Sequence, residues 1–173
     1  MKIKTIIMSV MLSIGILNAM NVGEKLPDIT LEKGNGGNSA GQAWQAKTLK
    51  GKVHVVLYMD PDERKEAMPF LDRLNNQAYD KKRYSTVAIV NLAATWMPDT
   101  ILEAMLSKKQ KELHNTEFIF DKTKYLVKEW HVKDDASNVL IVDDEMKVVY
   151  QNSGKLSVSE IDKIMDIISK NIK

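Results

Sequence analysis

Two apolar runs, each followed by a helix-like pattern, constrain the fold of this chain more than any other feature. Residues 53–58 are apolar except for His54, and residues 86–91 form a second candidate strand that is apolar at 87–90. A strand that is covered on both faces has such a continuous pattern, and parallel strands joined by helices are its usual setting. The sequence therefore predicts an α/β protein with these runs as central strands.

A helix is predicted directly after the first run. Asp60 has the position of an N-cap, Pro61 that of the first helical residue, and Glu63 closes a capping box with Asp60. Pro69 is expected to kink this helix, because it removes a backbone donor and clashes with the preceding turn.

The rest of the chain continues the alternation of strands and helices. We expect an edge strand at 28–31, a flexible loop at 34–41 and a helix at 98–113, whose apolar side is formed by Ile101, Leu102, Met105 and Leu106. A strand at 118–120, a helix at 123–130 and a hairpin of 139–142 and 147–150 should follow. Ser157 and Glu160 form a capping box at the start of the closing helix.

The first 19 residues have the pattern of an export signal. Lys2 and Lys4 precede an apolar run at 5–17, and Ala19 offers a small residue for cleavage. The run is shorter than the ~20 apolar residues of a spanning helix. We therefore expect a signal peptide at 1–19, one domain at 20–173, a periplasmic location and no stable membrane anchor after cleavage.

Charge and cysteine content narrow the function classes. The full chain has 25 basic and 23 acidic residues; the predicted signal removes two lysines, which leaves 25 − 2 = 23 against 23. Nucleic acid is not an expected partner, since its phosphates attract a concentrated basic surface. The chain has no cysteine, so we expect no disulfide and no redox pair. No cofactor is expected.

Several short segments resemble the periplasmic thioredoxin-like reductases. They are Gly51-Lys52-Val53 before the first central strand, Met68-Pro69-Phe70-Leu71 in the first helix, and residues 140–143 in the hairpin. The resemblance implies a thioredoxin-like three-layer fold with a central mixed β-sheet, here with an N-terminal β extension. In that family a Cys-x-x-Cys pair sits at the start of the first helix, and a cis-proline faces it.

This chain departs from that family at both chemical elements. Met59-Asp60-Pro61-Asp62-Glu63 stands in place of the cysteine pair, and Ser137 in place of the proline. Thiol–disulfide exchange needs an attacking thiolate, so no thiol–disulfide oxidoreductase activity is expected. A cis bond before a non-proline residue costs about 2.5 to 4 kcal/mol, which predicts a trans Ala136–Ser137 bond.

A second resemblance covers nearly all of the chain after residue 19. The residues that carry it include Trp44, Phe118, Asp121, Trp130, Ser137, Asp143, Glu160 and the segments 49–53, 86–91 and 154–157. They resemble the YtfJ family of exported bacterial proteins, which have a signal peptide and no redox motif. The family implies a fold and a location but no reaction. Leu92-Ala93 replaces the acidic pair expected after Asn91.

The leading interpretation is a non-catalytic binding or adaptor module for a periplasmic protein or peptide. A thioredoxin fold recognises extended chains by strand-like pairing beside the cis-proline loop. The corresponding loop of this chain offers the candidate binding residues Ser137, Asn138, Trp130 and His131.

The alternative is a cysteine-free enzyme that uses carboxylates and a divalent metal. Asp60, Asp62 and Glu63 are oxygen ligands close in sequence, as calcium or magnesium prefers. Capping of a helix N-terminus explains the same residues. The acidic segments Asp134-Asp135 and Asp143-Asp144-Glu145 flank one strand and could meet in space. They lack the spacing and glycine of an EF-hand, so we interpret them as a solvated loop and a hairpin turn.

Overall fold

The computed structural model describes residues 20–113 and 115–172. The predicted signal peptide at 1–19 lies outside the described residues. The strands are β1 (Thr30–Leu31), β2 (Gly36–Asn38), β3 (Trp44–Gln45), β4 (Val53–Met59), β5 (Tyr84–Asn91), β6 (Thr116–Asp121), β7 (Ser137–Val142) and β8 (Val148–Ser153). The α-helices are α1 (Met68–Asn75), α2 (Asp99–Glu112), α3 (Tyr125–Glu129) and α4 (Val158–Asn171).

One mixed six-stranded sheet organises the molecule, in the order β2-β6-β5-β4-β7-β8. The central strands β4, β5 and β6 are parallel, while β7 pairs antiparallel with β4 and β8 with β7. β1 and β3 form a separate antiparallel pair. The α/β class, the two apolar central strands and the terminal hairpin are thus confirmed.

Alternate residues of the central strands pack against two different layers. Val56 and Tyr58 face a core that includes Trp44 of β3 and Trp130 after α3. Val55 and Leu57 face Phe70 of α1 and the apolar stripe of α4, and α2 packs on the same side through Leu102 against β5 and β6. The sheet therefore lies between two layers, as a three-layer fold requires. In the described ranges, no helix combines the length and apolar character needed to cross a membrane.

The helix start after β4 differs from the prediction. Residues Pro61–Glu66 form a 3₁₀ helix, and α1 begins separately at Met68. The side chain of Asp60 accepts no capping hydrogen bond, because it turns inward toward Asn91 and Ala136. The predicted capping box of Asp60 and Glu63 is therefore wrong. Pro69 lies in the first turn of α1 and begins a helix instead of kinking one.

The glycine-rich segment at 34–41 is partly a strand, which corrects the predicted loop. Residues Gly36–Asn38 form β2 and pair antiparallel with β6. A Cβ atom on Gly36 would overlap the carbonyl of Phe120, and one on Gly37 that of Gln42. Glycine is required at both positions because another backbone segment approaches closely. β2 therefore has no alternating apolar pattern from which a strand could be predicted.

Two local predictions are confirmed in detail. Ser157 and Glu160 form a reciprocal capping box at the start of α4. The Ala136–Ser137 peptide bond is trans. Buried Asp121 begins the next helical segment: it accepts hydrogen bonds from the backbone N–H groups of Thr123, Tyr125 and Leu126 and orients α3.

Candidate functional site

Asp60 lies at the end of β4, where the thioredoxin-like reductases carry their cysteine pair. Its carboxylate is almost fully buried, with 1% of the residue exposed. Asn91 Nδ2 donates a hydrogen bond to Oδ1 at 2.7 Å, and the Ala136 N–H donates to Oδ2 at 3.3 Å. Burial raises the pKa of Asp60, and the hydrogen bond from Asn91 opposes that shift. Asp60 therefore joins β4, β5 and the loop before β7.

Ser137 stands in place of the cis-proline, and its polar groups are all engaged inside the protein. Its N–H donates to Glu66 Oε2 at 3.1 Å, its hydroxyl donates to the Glu63 carbonyl at 2.8 Å, and its carbonyl accepts from the Gly154 N–H at 2.8 Å. The Ala136 carbonyl accepts from the Asp60 N–H. An incoming chain would have to break these bonds before it could pair with this loop.

Asn138 and Trp130 are also engaged internally. The Asn138 amide donates to the carbonyls of Tyr58 and Lys133, and its oxygen accepts from the Lys133 N–H and the Ser153 hydroxyl. The Trp130 indole donates to the Pro27 carbonyl, and the residue is fully buried. These interactions give both residues structural roles in holding the loop and the N-terminal extension.

Three of the four predicted binding residues nevertheless line one cavity. Trp130, His131 and Asn138 border a space of about 270 Å³ that Ser137 does not line. His131 is the exposed member and has a left-handed backbone with φ of 52°. The cavity thus offers one accessible imidazole beside groups that already have partners.

The carboxylates of Asp60, Asp62 and Glu63, which the sequence offered as metal ligands, do not form one cluster. Asp62 is exposed, and its Oδ1 accepts a hydrogen bond of 3.4 Å from the Thr95 hydroxyl. In the described part of the chain, the carboxylates that converge with Asp60 are instead those of Asp134 and Asp135, whose oxygens lie within 4.8 Å of one another. The sequence signal for this cluster is the adjacent acidic pair Asp134-Asp135, which no sequence pattern connects to Asp60.

An apolar groove opens beside the 3₁₀ helix that follows Asp60. Two cavities of about 420 and 360 Å³ share Met59, Arg64 and Phe118 as lining residues. The first is also lined by Met97 and Met105, and the second by Met68 and Leu71. We call this surface, formed by the residues that line the two cavities, the methionine groove. Met105 was predicted to lie in the core, yet 53% of it is exposed.

The rim of the methionine groove is basic. Arg64, Lys65 and Lys109 line it together with one acidic side chain, Asp62. Three positive charges against one negative leave 3 − 1 = 2 positive charges at neutral pH. Trp96, 86% exposed, directly precedes the lining residue Met97 in the sequence.

Comparison with known proteins identifies the family. A family model described as "Bacterial protein of unknown function (YtfJ_HI0045)" matches residues 18–171. The chain belongs to the YtfJ family. The Uncharacterized protein YtfJ of Escherichia coli (strain K12) is 22% identical over 136 residues, which cover 76% of this chain and 73% of that protein.

Solved structures extend the likeness to the fold. An uncharacterized conserved protein from Geobacillus kaustophilus matches with a TM-score of 0.65 and 22% identity over 90% of this chain and 84% of its own. The exposed lipoprotein thioredoxin Etrx1 of Streptococcus pneumoniae matches with a TM-score of 0.56 and 18% identity over 83% of this chain and 99% of its own. This member of the YtfJ family therefore has a thioredoxin-like fold, and it has no cysteine.

Proposed function

We propose that this protein is a non-catalytic binding module of the periplasm, and that it holds an extended segment of another polypeptide in the methionine groove. The observation that carries the proposal is the groove itself: two adjoining apolar cavities beside the junction where related folds carry their cysteines. Ligand sites are commonly concave and apolar with a few polar groups at the edge.

Methionine suits a surface that accepts varied apolar side chains. Met59, Met68, Met97 and Met105 all line the groove. An unbranched, polarisable thioether adapts its shape at low cost, and binding surfaces that accept several partners use it often. The groove is therefore expected to select for apolar character more than for one side-chain shape.

The basic rim defines the charge of the partner. Arg64, Lys65 and Lys109 outnumber Asp62, so acidic residues beside the apolar segment are favoured. Charge complementarity of this kind acts mainly on association rate and specificity. We expect the bound segment to combine apolar side chains with an acidic flank.

The periplasmic location rests on the N-terminal sequence. Lys2, Lys4 and the apolar run at 5–17 have the features of an export signal, and the family match begins at residue 18. Osmotic-shock fractionation of cells that express the full chain tests the location. We expect the protein in the periplasmic fraction with a mass that lacks residues 1–19.

Peptide binding is tested by fluorescence anisotropy on residues 20–173. The probe is a labelled peptide of alternating leucine and threonine with aspartates at one end, and its counterpart has lysines there. We expect the acidic peptide to bind more tightly, and Met105→Asp to weaken binding at least about tenfold, or about 1.4 kcal/mol.

Val158→Asp is the matched control, since Val158 is 77% exposed on α4 and does not line the groove. Equal affinity of wild type and Met105→Asp, or tighter binding of the lysine peptide, would contradict the proposed groove.

A further inference from the structure

The exposed methionine side chains of this protein are concentrated in the methionine groove. In the part of the chain that the structure describes, the exposed methionines are Met68 and Met105, at 44% and 53%. Met68 lines one cavity of the groove and Met105 lines the other. Met59 and Met97, which also line the groove, are half-buried. Solvent therefore reaches methionine side chains at the surface where we propose that a peptide binds.

The described methionines outside the groove are less accessible. Met20 packs in the core with Trp44 and Trp130, and Met165 packs in the core beside α4. Both are buried, and Met146 is half-buried. A small oxidant dissolved in water therefore meets the methionines of the groove first.

Cysteine does not compete with these methionines for an oxidant. Cysteine and methionine are the residues with oxidisable sulfur, and the chain has no cysteine. Any oxidation of sulfur in this protein is therefore an oxidation of methionine.

We propose that hydrogen peroxide oxidises Met68 and Met105 to their sulfoxides, and that this modification weakens peptide binding in the methionine groove. The inference rests on the proposed function, because it names the regulation of the same surface.

The reaction is an oxygen transfer that needs no other reactant. A lone pair of the thioether sulfur attacks one oxygen of H₂O₂, an S–O bond forms and the O–O bond breaks. The proton on the transferred oxygen passes to the departing hydroxide, which leaves as water. The sulfur is oxidised to the sulfoxide and the peroxide is reduced.

The sulfoxides change the groove in the direction that disfavours an apolar segment. Each replaces a flexible apolar thioether by a polar group. Apolar side chains of the peptide would then cover a polar oxygen, which costs free energy unless a donor satisfies that oxygen. Arg64 lines both cavities, so a sulfoxide oxygen is expected to compete for the donors that the acidic flank of the peptide would use.

Peptide mapping by mass spectrometry tests the modification without a binding partner. Residues 20–173 are treated with hydrogen peroxide, catalase removes the excess, and the gain of one oxygen atom is followed at each methionine. We expect Met68 and Met105 to be oxidised at least about tenfold faster than Met20 and Met165. Oxidation of Met20, Met146 or Met165 as fast as that of Met68 and Met105 would overturn the proposed site.

Fluorescence anisotropy of the oxidised protein with the acidic leucine–threonine peptide tests the effect on binding. The peptide contains no sulfur, and the peroxide is removed before it is added. We expect oxidation to raise the Kd about tenfold or more, and methionine sulfoxide reductases A and B with dithiothreitol to restore it. An unchanged Kd after oxidation of both methionines, or a loss that the reductases do not reverse, would overturn the regulation.

A double variant, Met68→Leu with Met105→Leu, isolates the two sulfur atoms. Leucine is apolar and similar in volume, and each variant is compared with its own untreated Kd. The Kd of the double variant should not respond to peroxide. Met146→Leu is the matched control, because Met146 does not line the groove, and it should respond like wild type. A response of the double variant equal to that of wild type would overturn the assignment to Met68 and Met105.

The untreated wild type separates this inference from the proposed function. If it binds neither the acidic nor the lysine peptide, the proposed function and its regulation are both contradicted. If it binds the acidic peptide and peroxide does not change the Kd, the regulation alone is contradicted.

Discussion

His54 shows how a single residue sets a dependence of stability on pH. It lies in β4 with 6% of its surface exposed, and within the described residues neither ring nitrogen has a hydrogen-bond partner. Burial, with a smaller contribution from the charge of Lys52, lowers the pKa of His54 from 6.5 to about 4. The folded protein therefore holds this ring neutral in a range where the unfolded chain protonates it.

The sign follows from proton linkage. As pH falls below 6.5, the unfolded state gains a proton at His54 that the folded state does not take until about pH 4, so stability is lost across that window. We predict that His54→Val lacks this loss. Between pH 7 and 4.5 the free energy of unfolding of wild type should fall by about 2 kcal/mol more than that of the variant.

Urea unfolding at a series of pH values makes the measurement. His131→Asn is the matched control, because His131 is exposed and asparagine tolerates its φ of 52°. This control should keep the wild-type pH dependence. Parallel pH profiles for wild type and His54→Val would contradict the buried, neutral state of His54.

At the scale of elements, a mutation of Pro69 distinguishes two structures for the segment after β4: a 3₁₀ helix followed by a separate α1, or one continuous helix kinked at Pro69. In the structure it occupies the first turn of α1, where its missing N–H has no helical partner to lose. Pro69→Ala should therefore lower the free energy of unfolding by no more than about 1 kcal/mol, through greater entropy of the unfolded chain. A continuous helix kinked at Pro69 would instead gain about 3 kcal/mol from the same change.

Denaturant unfolding at neutral pH distinguishes these outcomes. Ser157→Ala serves as a reference, since loss of the capping box at α4 should cost about 1 kcal/mol. A stabilisation of Pro69→Ala well above the error of the fit would show that the break between the 3₁₀ helix and α1 is wrong.

The elements that the sequence predicted are those whose signal is local. β4 is apolar except for His54, β5 contains the apolar run 87–90, and the capping box of α4 is contained within four neighbouring residues. β2 was missed because its glycines serve backbone contact with Phe120 and Gln42, which no periodic pattern records.

The site was harder to predict because its contacts are distant in sequence. Asp60 has the residue type of an N-cap, yet its partners are Asn91 and Ala136, 31 and 76 positions away. Only the arrangement of β4, β5 and β7 in the sheet brings Asp60, Asn91 and Ala136 into contact. The methionine groove has the same origin, since Met59, Met97 and Met105 come from separate elements.

At the scale of the whole molecule, the three-layer fold keeps the region where the thioredoxin-like reductases carry their cysteine pair, and internal hydrogen bonds occupy it. Ser137 is bound to Glu63, Glu66 and Gly154, and Asp60 to Asn91. These bonds fix the loop before β7, and the neighbouring methionine groove is the surface that we propose to bind an extended polypeptide.

The most direct test of this account is an amide ¹⁵N–¹H NMR titration of residues 20–173 with the acidic leucine–threonine peptide. Binding in the methionine groove predicts saturable shifts at Met59, in the 3₁₀ helix Pro61–Glu66, and at Met97 and Met105, with residues 130–138 unchanged. Saturable shifts confined to residues 130–138, or no saturable shift at any amide, would contradict it.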